Sequence, residues 1–346
     1  MNQITKTFNK YSSLFKLALL IAFVLVCSNS PYLTIIGVQS LVNSIAVLGI
    51  ILVSGYTRQT HLGQAAFVGI GAYVSAVLMI RFGWNFWITI PCAILLAALL
   101  GFILAIPTLK LTGGPYLAMV TQIFGEMIFI IILNWESVTG GSFGINRIPA
   151  PMIGSISFKQ KKSLLYLVAV AFLIAFFVAW RLVKSKYGRF FLSIKESEAA
   201  AQSVGINTMK YKIVAFVFSS GFGGLAGVFY AQCFGYLSPD QFQWPISLTL
   251  MSMAIIGGLS RLEGGVLGAV IVTILPELLR GFTAQSRMIV YGALVILTLL
   301  FLPEGIISLI GKRPSEIKEM FQETMKSFRD ERSRRKRKSL KDGKTY

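Results

Sequence analysis

Charged and metal-binding side chains are scarce in this chain of 346 residues, and each shortage excludes a class of protein. Only 14% of the residues are charged, whereas a soluble domain averages about 25%. His61 is the single histidine, and the three cysteines stand in apolar stretches without a CxxC pair, so no metal site is expected. Nor is there a P-loop, because Lys338 stands where the first glycine before Gly343-Lys344-Thr345 would be required. The sequence therefore predicts neither a soluble enzyme nor an ATPase, and no cofactor.

Apolar residues are abundant instead, at 55% of the chain with a mean hydropathy of +0.69. They form about ten runs near the length that a membrane-spanning helix needs. The runs are 13–29, 32–53, 62–80, 86–106, 115–133, 164–183, 212–236, 246–259, 265–280 and 288–310. We predict an all-α integral membrane protein, a polytopic bundle of about 8–10 transmembrane helices.

Two details of these runs affect the count of crossings. The runs 246–259 and 265–280 are short and flanked by glycines, so they form either two full crossings or a re-entrant pair. The first run follows lysines, as in a signal peptide, but it lacks a small-x-small cleavage site and a second run follows at once. We therefore expect a retained first helix.

The net charge of +19 is unevenly distributed along the chain. Thirteen Lys/Arg residues lie in 312–346 and seven more in 181–212. With ten crossings and a cytoplasmic N-terminus, 26 of the 33 Lys/Arg residues are cytoplasmic, as the positive-inside rule requires. We predict a transmembrane domain over 1–310, a basic cytoplasmic tail over 311–346 and two cytoplasmic termini. The tail has no aromatic platform or nucleic-acid fold before it, so no nucleic-acid partner is expected.

Glu126 lies in the middle of the run 115–133. A charged side chain at that depth costs about 2.5 to 3.5 kcal/mol on insertion scales and is usually kept for function. It either faces a polar cavity or forms a hydrogen bond that joins neighbouring helices. An ion-coupled secondary carrier would place a carboxylate in the same way.

The longest polar loop, 184–212, has the composition of a short helix between Ser193 and Val204. Ser193 and Glu196 are compatible with a capping box, and Gly205 is a plausible helix end. Three consecutive alanines and Val204 would form a shallow apolar knob, which suits insertion into a groove of another protein. The alternative is an ordinary solvated loop helix.

Within this loop Glu198-Ala199-Ala200, followed by Gly205, resembles the Glu-Ala-Ala loop with which permeases of ABC importers dock on their ATPases. The surrounding residues resemble the LivM-type permeases of branched-chain amino acid importers. Further stretches that resemble this family are 55–73, 116–126, 139–145 and 237–278, so the resemblance extends over about 50 to 310. His61 stands where a serine is expected in the family, so no family role is carried over to it.

The resemblance implies a transport subunit of an inner or plasma membrane, without catalysis of its own. Its partners would be two ABC ATPase subunits, a sister permease and an extracytoplasmic substrate-binding protein, and its substrate a branched-chain amino acid. The coupling residues would be Glu198, Ala199, Ala200 and Gly205. Candidates for the translocation path are Thr121, Glu126, Gly257 and Gly258. Importers of urea or short amides and of sugars remain alternatives.

Overall fold

The computed structural model describes residues 18–108, 114–153 and 156–278, with short pieces at 292–293, 296–297, 302 and 305–309. The predicted basic tail, both chain termini and most of the predicted last span at 288–310 lie outside these residues. Residues 109–113 and 154–155 lie outside them as well.

The described chain is almost entirely helical, which confirms the all-α prediction. The helices are α1 (Ala18–Cys27), α2 (Pro31–Ile50), α3 (Gln64–Arg81), α4 (Phe86–Thr108), α5 (Gly114–Asn134), α6 (Glu136–Thr139), α7 (Lys161–Lys184), α8 (Lys186–Glu196), α9 (Glu198–Ser203), α10 (Thr208–Phe234), α11 (Trp244–Gly257) and α12 (Leu262–Leu278). The 3-10 turns are Gly141–Phe143, Pro239–Phe242 and Ile306–Leu309. Within the described ranges, two short strands of two residues each, β1 (Met152–Ile153) and β2 (Ile156–Ser157), pair in an antiparallel manner.

Six helices of the described chain are long and apolar enough to cross a membrane. They contain α2, α3, α4, α5, α7 and α10 and agree with six of the runs in the sequence. The runs 246–259 and 265–280 form α11 and α12, of 14 and 17 residues, joined by a tight turn. The chain is therefore a multi-pass membrane protein.

The centre of the bundle is the contact between α3 and α10, which run in the same direction. Small residues make their close approach possible. A Cβ atom at Gly71 would overlap the carbonyl of Gly224, and one at Gly227 would overlap the carbonyl of Val68. In lipid no hydrophobic drive brings helices together, so this backbone packing supplies the contact energy.

Helices α2, α11 and α12 form a second group, in which α2 and α11 each run antiparallel to α12. Asn43 of α2 donates a 3.0 Å hydrogen bond to Thr273 of α12, and Tyr32 near the start of α2 hydrogen-bonds Glu277 near the end of α12. In the α11–α12 pair a Cβ at Gly257 would overlap the carbonyl of Gly264, so these two helices also meet backbone to backbone.

The connection between α5 and α7 covers the end of the bundle opposite to α8 and α9. It is fixed to the segment after α10 by the paired backbones of Ile145 and Leu237, with N–O distances of 2.8 and 2.9 Å. Trp87 of α4 donates a 2.8 Å hydrogen bond to the carbonyl of Met152 in the same connection. This end of the protein is therefore an ordered surface built from several elements.

Candidate functional site

The helical path is interrupted between α2 and α3, in the interior of the bundle. Helix α2 ends in a π-helical turn, Ile51–Gly55, and the next helical residue is Gln64. We refer to the non-helical residues 56–63 as the break. Buried backbone groups need partners, and a break of eight residues removes the partners that a helix would supply. Side chains from other helices can supply hydrogen-bond partners for the backbone groups of the break.

Two different helices supply hydroxyl groups to the break and to the start of α3. The hydroxyl of Thr121 on α5 accepts a 3.0 Å hydrogen bond from the backbone N–H of Leu62. The hydroxyl of Ser247 on α11 accepts one of 2.9 Å from the N–H of Ala65. Both hydroxyl residues are buried. The break is thus held by side chains that are remote in the sequence.

Gln64 connects the break to two further helices. Its amide nitrogen donates to the carbonyls of Ala46 on α2, at 2.9 Å, and Ser219 on α10, at 3.2 Å. Its amide oxygen accepts from His61, at 3.0 Å, and from the Ser219 hydroxyl, at 3.3 Å. A fully buried glutamine with all its hydrogen-bonding capacity in use fixes the relative positions of the groups it joins.

His61 is a neutral structural residue of the break. It is completely buried, and this burial lowers its pKa to about 4, so that the imidazole is uncharged near neutral pH. Its Nδ1 atom accepts a 3.4 Å hydrogen bond from Gly63 N–H, which leaves Nε2 as the donor to Gln64. The ring packs edge-on against Phe216 of α10 at 4.8 Å between centroids.

The candidate path residues on α5 lie on different sides of that helix. Thr121 is completely buried, and its hydroxyl is engaged by the break. Glu126 follows five residues later, which turns its side chain by about 140° around the helix axis. Glu126 is half-buried, and its Oε2 atom is buried without a hydrogen-bond partner among the described residues. The two side chains therefore do not line one common surface in this conformation.

The candidate path residues Gly257 and Gly258 lie at the turn between α11 and α12. Gly257 packs against α12, and Gly258 ends α11 with a φ of 117°, which only glycine adopts easily. The carbonyl of the next residue, Leu259, is in backbone contact with Gly55 at the end of α2. The glycine turn thus adjoins the start of the break, while Thr121 contacts its end.

The predicted coupling residues lie in a helix pair between α7 and α10, where the sequence predicts one helix from Ser193 to Val204. The structure corrects that prediction. Ser193 is inside α8, and the chain changes direction at Ser197, whose hydroxyl caps α9 by accepting from Ala200 N–H at 3.2 Å. A capping serine needs an extended backbone, which Ser197 has and Ser193 does not. The predicted helix end is confirmed, because Gly205 has a φ of 80°.

Helix α9 presents a small exposed apolar surface on a fixed base. Ala199 and Ala200 are exposed, and Val204 is 74% exposed. The base is held to α10 by an ion pair of 2.5 Å between Glu198 and Lys212 and by a 3.0 Å hydrogen bond from Gln202 to Thr208. Small exposed residues on a restrained helix form a knob that fits a groove of a partner.

The sequence did not single out Gln64, Ser219 or Ser247 as functional residues. Each is an isolated polar residue in an apolar run, and only its distance from the break identifies its role. The composition of the run did carry one usable signal: a glutamine directly after a glycine at the start of an apolar helix is unfavourable in lipid unless its amide is paired.

The chain is similar to known membrane transport proteins over most of its length. A family model described as "Branched-chain amino acid transport system / permease component" matches residues 32–299. The high-affinity branched-chain amino acid transport system permease protein LivM of Escherichia coli strain K12 is 32% identical over 295 residues, which cover 79% of this chain and 69% of the relative.

The chain is also similar, at lower identity, to permeases of other transport systems. The probable branched-chain amino acid transport permease protein LivH of Methanocaldococcus jannaschii is 24% identical over 290 residues, covering 77% of this chain and 88% of the relative. The autoinducer 2 import system permease protein LsrC of Salmonella paratyphi B is 25% identical over 257 residues, covering 70% and 69%. No solved structure was found to match the chain.

Proposed function

The chain belongs to the family of branched-chain amino acid transport permeases, and from this premise we propose that it is the permease subunit of an ATP-driven ABC importer for branched-chain amino acids. It is a membrane-spanning transport subunit rather than an enzyme, and ATP hydrolysis belongs to partner chains. The observation that carries the ATP-driven assignment is the exposed apolar surface of α9 on its restrained base.

Four partners follow from this proposal. Two ABC ATPase subunits dock on the two coupling surfaces of the complex, of which this chain provides one. A sister permease completes the translocation path, and an extracytoplasmic binding protein delivers the amino acid to the opposite end. Glu198, Ala199, Ala200 and Gly205 belong to the coupling surface, and Thr121, Glu126, Gly257 and Gly258 are the candidates for the path.

The structure supports a route from the coupling surface to the break. Glu198 and Gln202 of α9 are tied to the first turns of α10. Ser219 of the same helix, about 16 Å further along its axis, holds Gln64 at the end of the break. A rigid α10 would transmit a displacement of α9 to the break, where helices α2, α3, α5, α10 and α11 meet.

Orientation in the membrane is part of the proposal. The coupling helices and both termini are cytoplasmic, because 26 of the 33 Lys/Arg residues then lie on the cytoplasmic side. Reporter fusions at Met1 and Tyr346 measure the side of each terminus. An extracytoplasmic location of either one would contradict this topology.

The coupling assignment is tested by placing a charge on the α9 surface. Ala199→Asp or Ala200→Asp would bury an unpaired carboxylate in the ATPase groove and reduce binding at least tenfold, or about 1.4 kcal/mol. The measurements are pull-down of the ATPase subunits and substrate-stimulated ATP hydrolysis in the reconstituted complex. Ala200→Ser is the matched control, since it keeps the small size of the side chain.

A thermal melt of the permease verifies that the aspartate variants fold, because neither alanine is buried. Parental levels of pull-down and stimulation in both aspartate variants would contradict the coupling role. Substrate class needs its own measurement: uptake of labelled leucine, with urea and ribose as competitors. If urea or ribose inhibited the uptake and unlabelled leucine did not, the chain would belong to an importer of short amides or of sugars instead.

A further inference from the structure

Among the long helices that the structure describes, α4, α5 and α7 expose broad apolar faces, and those of α4 and α7 have the composition of surfaces that meet lipid. Helix α4 exposes only hydrocarbon side chains, among them Ile88, Leu95, Leu99 and Ile103. Helix α7 exposes Val170, Ile174 and Phe177 in its middle, with Tyr166 and Trp180 towards its two ends. Aromatic residues at the ends of an aliphatic face are typical of a helix that faces the bilayer.

Helix α5 differs from both at the same depth. Its exposed face, which we call the α5 outer face, consists of Tyr116, Met119, Ile123, Met127 and Ile130. Ile123 at its centre is 67% exposed. Glu126 projects at the edge of this face, about 20° around the axis from Met119 and about 40° from Ile130.

The Glu126 side chain is half-buried within the described part of the chain, so part of it reaches the surface of α5. Its Oε2 atom is buried and accepts no hydrogen bond there. Gln122, one turn earlier on the same side of the helix, is a second half-buried polar residue. Helices α4 and α7, described in full, have no ionisable residue in their central turns. A carboxyl group at mid-membrane depth is costly against lipid and requires a polar partner or protein contact.

The methionines of the α5 outer face also indicate contact with protein. Met119 and Met127 flank Ile123 along the helix, whereas neither α4 nor α7 contains a methionine. Methionine side chains are flexible and polarisable, so they adapt to an irregular protein surface, a property that lipid contact does not require. A face with methionines and a half-buried acid at its edge is therefore suited to another membrane protein.

We infer that the α5 outer face packs against the sister permease of the importer, which covers the exposed part of the Glu126 side chain. The inference rests on the proposed function, because that proposal provides a second polytopic subunit in the same complex. The contact places Glu126 at the seam between the two permeases. Met119, Ile123, Met127 and Ile130 exclude lipid from the seam on one side of the carboxyl group.

Site-specific photocross-linking tests this contact in the complete complex. The full chain is expressed together with the other subunits of its importer, and benzoylphenylalanine replaces Ile123. Matched controls carry the same probe at Leu99 of α4 and Ile174 of α7, which are 53% and 59% exposed. After irradiation in native membranes, the adducts are identified by mass spectrometry.

The expected result is a discrete adduct of the Ile123 probe with a second permease chain of a different sequence, and lipid adducts from the two controls. Lipid adducts alone from the Ile123 probe would overturn the inference. So would a protein adduct with another copy of this chain, because the contact would then be homomeric. A sister-permease adduct from all three positions would also overturn it, since the three faces would be equivalent.

The same samples separate this inference from the proposed function. Co-purified ATPase subunits are quantified before irradiation. ATPases in the complex with only lipid adducts at Ile123 would leave the ABC assignment intact and reject the α5 contact. A sister-permease adduct in a complex without ATPases would support the contact and contradict the ATP-driven function.

Discussion

The Thr121 hydroxyl on α5 accepts a 3.0 Å hydrogen bond from the backbone N–H of Leu62, a residue 59 positions earlier in the chain. The same hydroxyl donates to the carbonyl of Ala118 at 3.0 Å. One buried side chain therefore attaches a membrane-spanning helix to the interrupted backbone between two others. A movement of α5, the helix that also contains Glu126, would therefore displace the break.

Removal of the Thr121 hydroxyl is expected to destabilise the break. Thr121→Val keeps the shape of the side chain but leaves Leu62 N–H without its acceptor, at a cost of about 1 to 3 kcal/mol. Thermal unfolding in detergent measures this loss as a lower Tm. Thr121→Ser retains the hydroxyl and serves as the control. Equal melting of the valine variant and the parent would contradict the role of this hydrogen bond.

The close contact of α3 and α10 is expected not to tolerate a methyl group. Gly227→Ala would press its Cβ into the carbonyl of Val68, and such overpacking costs about 1 to 3 kcal/mol. Gly221→Ala on the same helix is the control, because its Cβ would meet only Ile94 at an ordinary 3.6 Å. The detergent melt should show a lower Tm for the first variant alone. A similar loss in both would indicate a general effect of helix α10 rather than this contact.

Ser197, and not Ser193, is expected to stabilise helix α9, the proposed coupling helix. Loss of an N-cap hydroxyl costs about 0.5 to 2 kcal/mol, so Ser197→Ala should accelerate amide exchange in residues 198–203 several-fold. Ser193→Ala, in the interior of α8, is the matched control and should leave α9 unaffected. Hydrogen exchange followed by mass spectrometry measures both. Faster exchange of α9 in the Ser193 variant alone would restore the capping position that the sequence favours.

Glu126 is expected to matter for transport as well as for packing. Glu126→Gln keeps the shape and removes the ionisable group, so uptake of labelled leucine should fall while the complex still assembles. Glu136→Gln, at an exposed acid just beyond α5, is the control. Parental uptake by the Glu126 variant would assign this residue to structural hydrogen bonding between helices.

The spans and the helix ends of this protein are largely properties of its sequence. Six apolar runs became six long helices within a few residues, because a segment without water must satisfy its backbone internally. Gly205 ended α9 as its composition indicates, since only glycine adopts the left-handed backbone there without strain. Which helices meet is not visible in the sequence, because the close approach of Gly71 to α10 and of Gly227 to α3 depends on the folded bundle.

The tertiary structure decided what lies beside each polar residue. The N-cap of α9 is Ser197 and not Ser193, because Ser193 is inside helix α8 and the backbone becomes extended only at Ser197. Thr121 and Glu126 were both predicted to line the path as polar groups at membrane depth, yet the turn of the helix directs one to the break and the other to the edge of the outer face. A hydrogen bond such as that from Leu62 to Thr121 depends on the packing of separate helices, and this packing follows from the whole bundle and not from either segment alone.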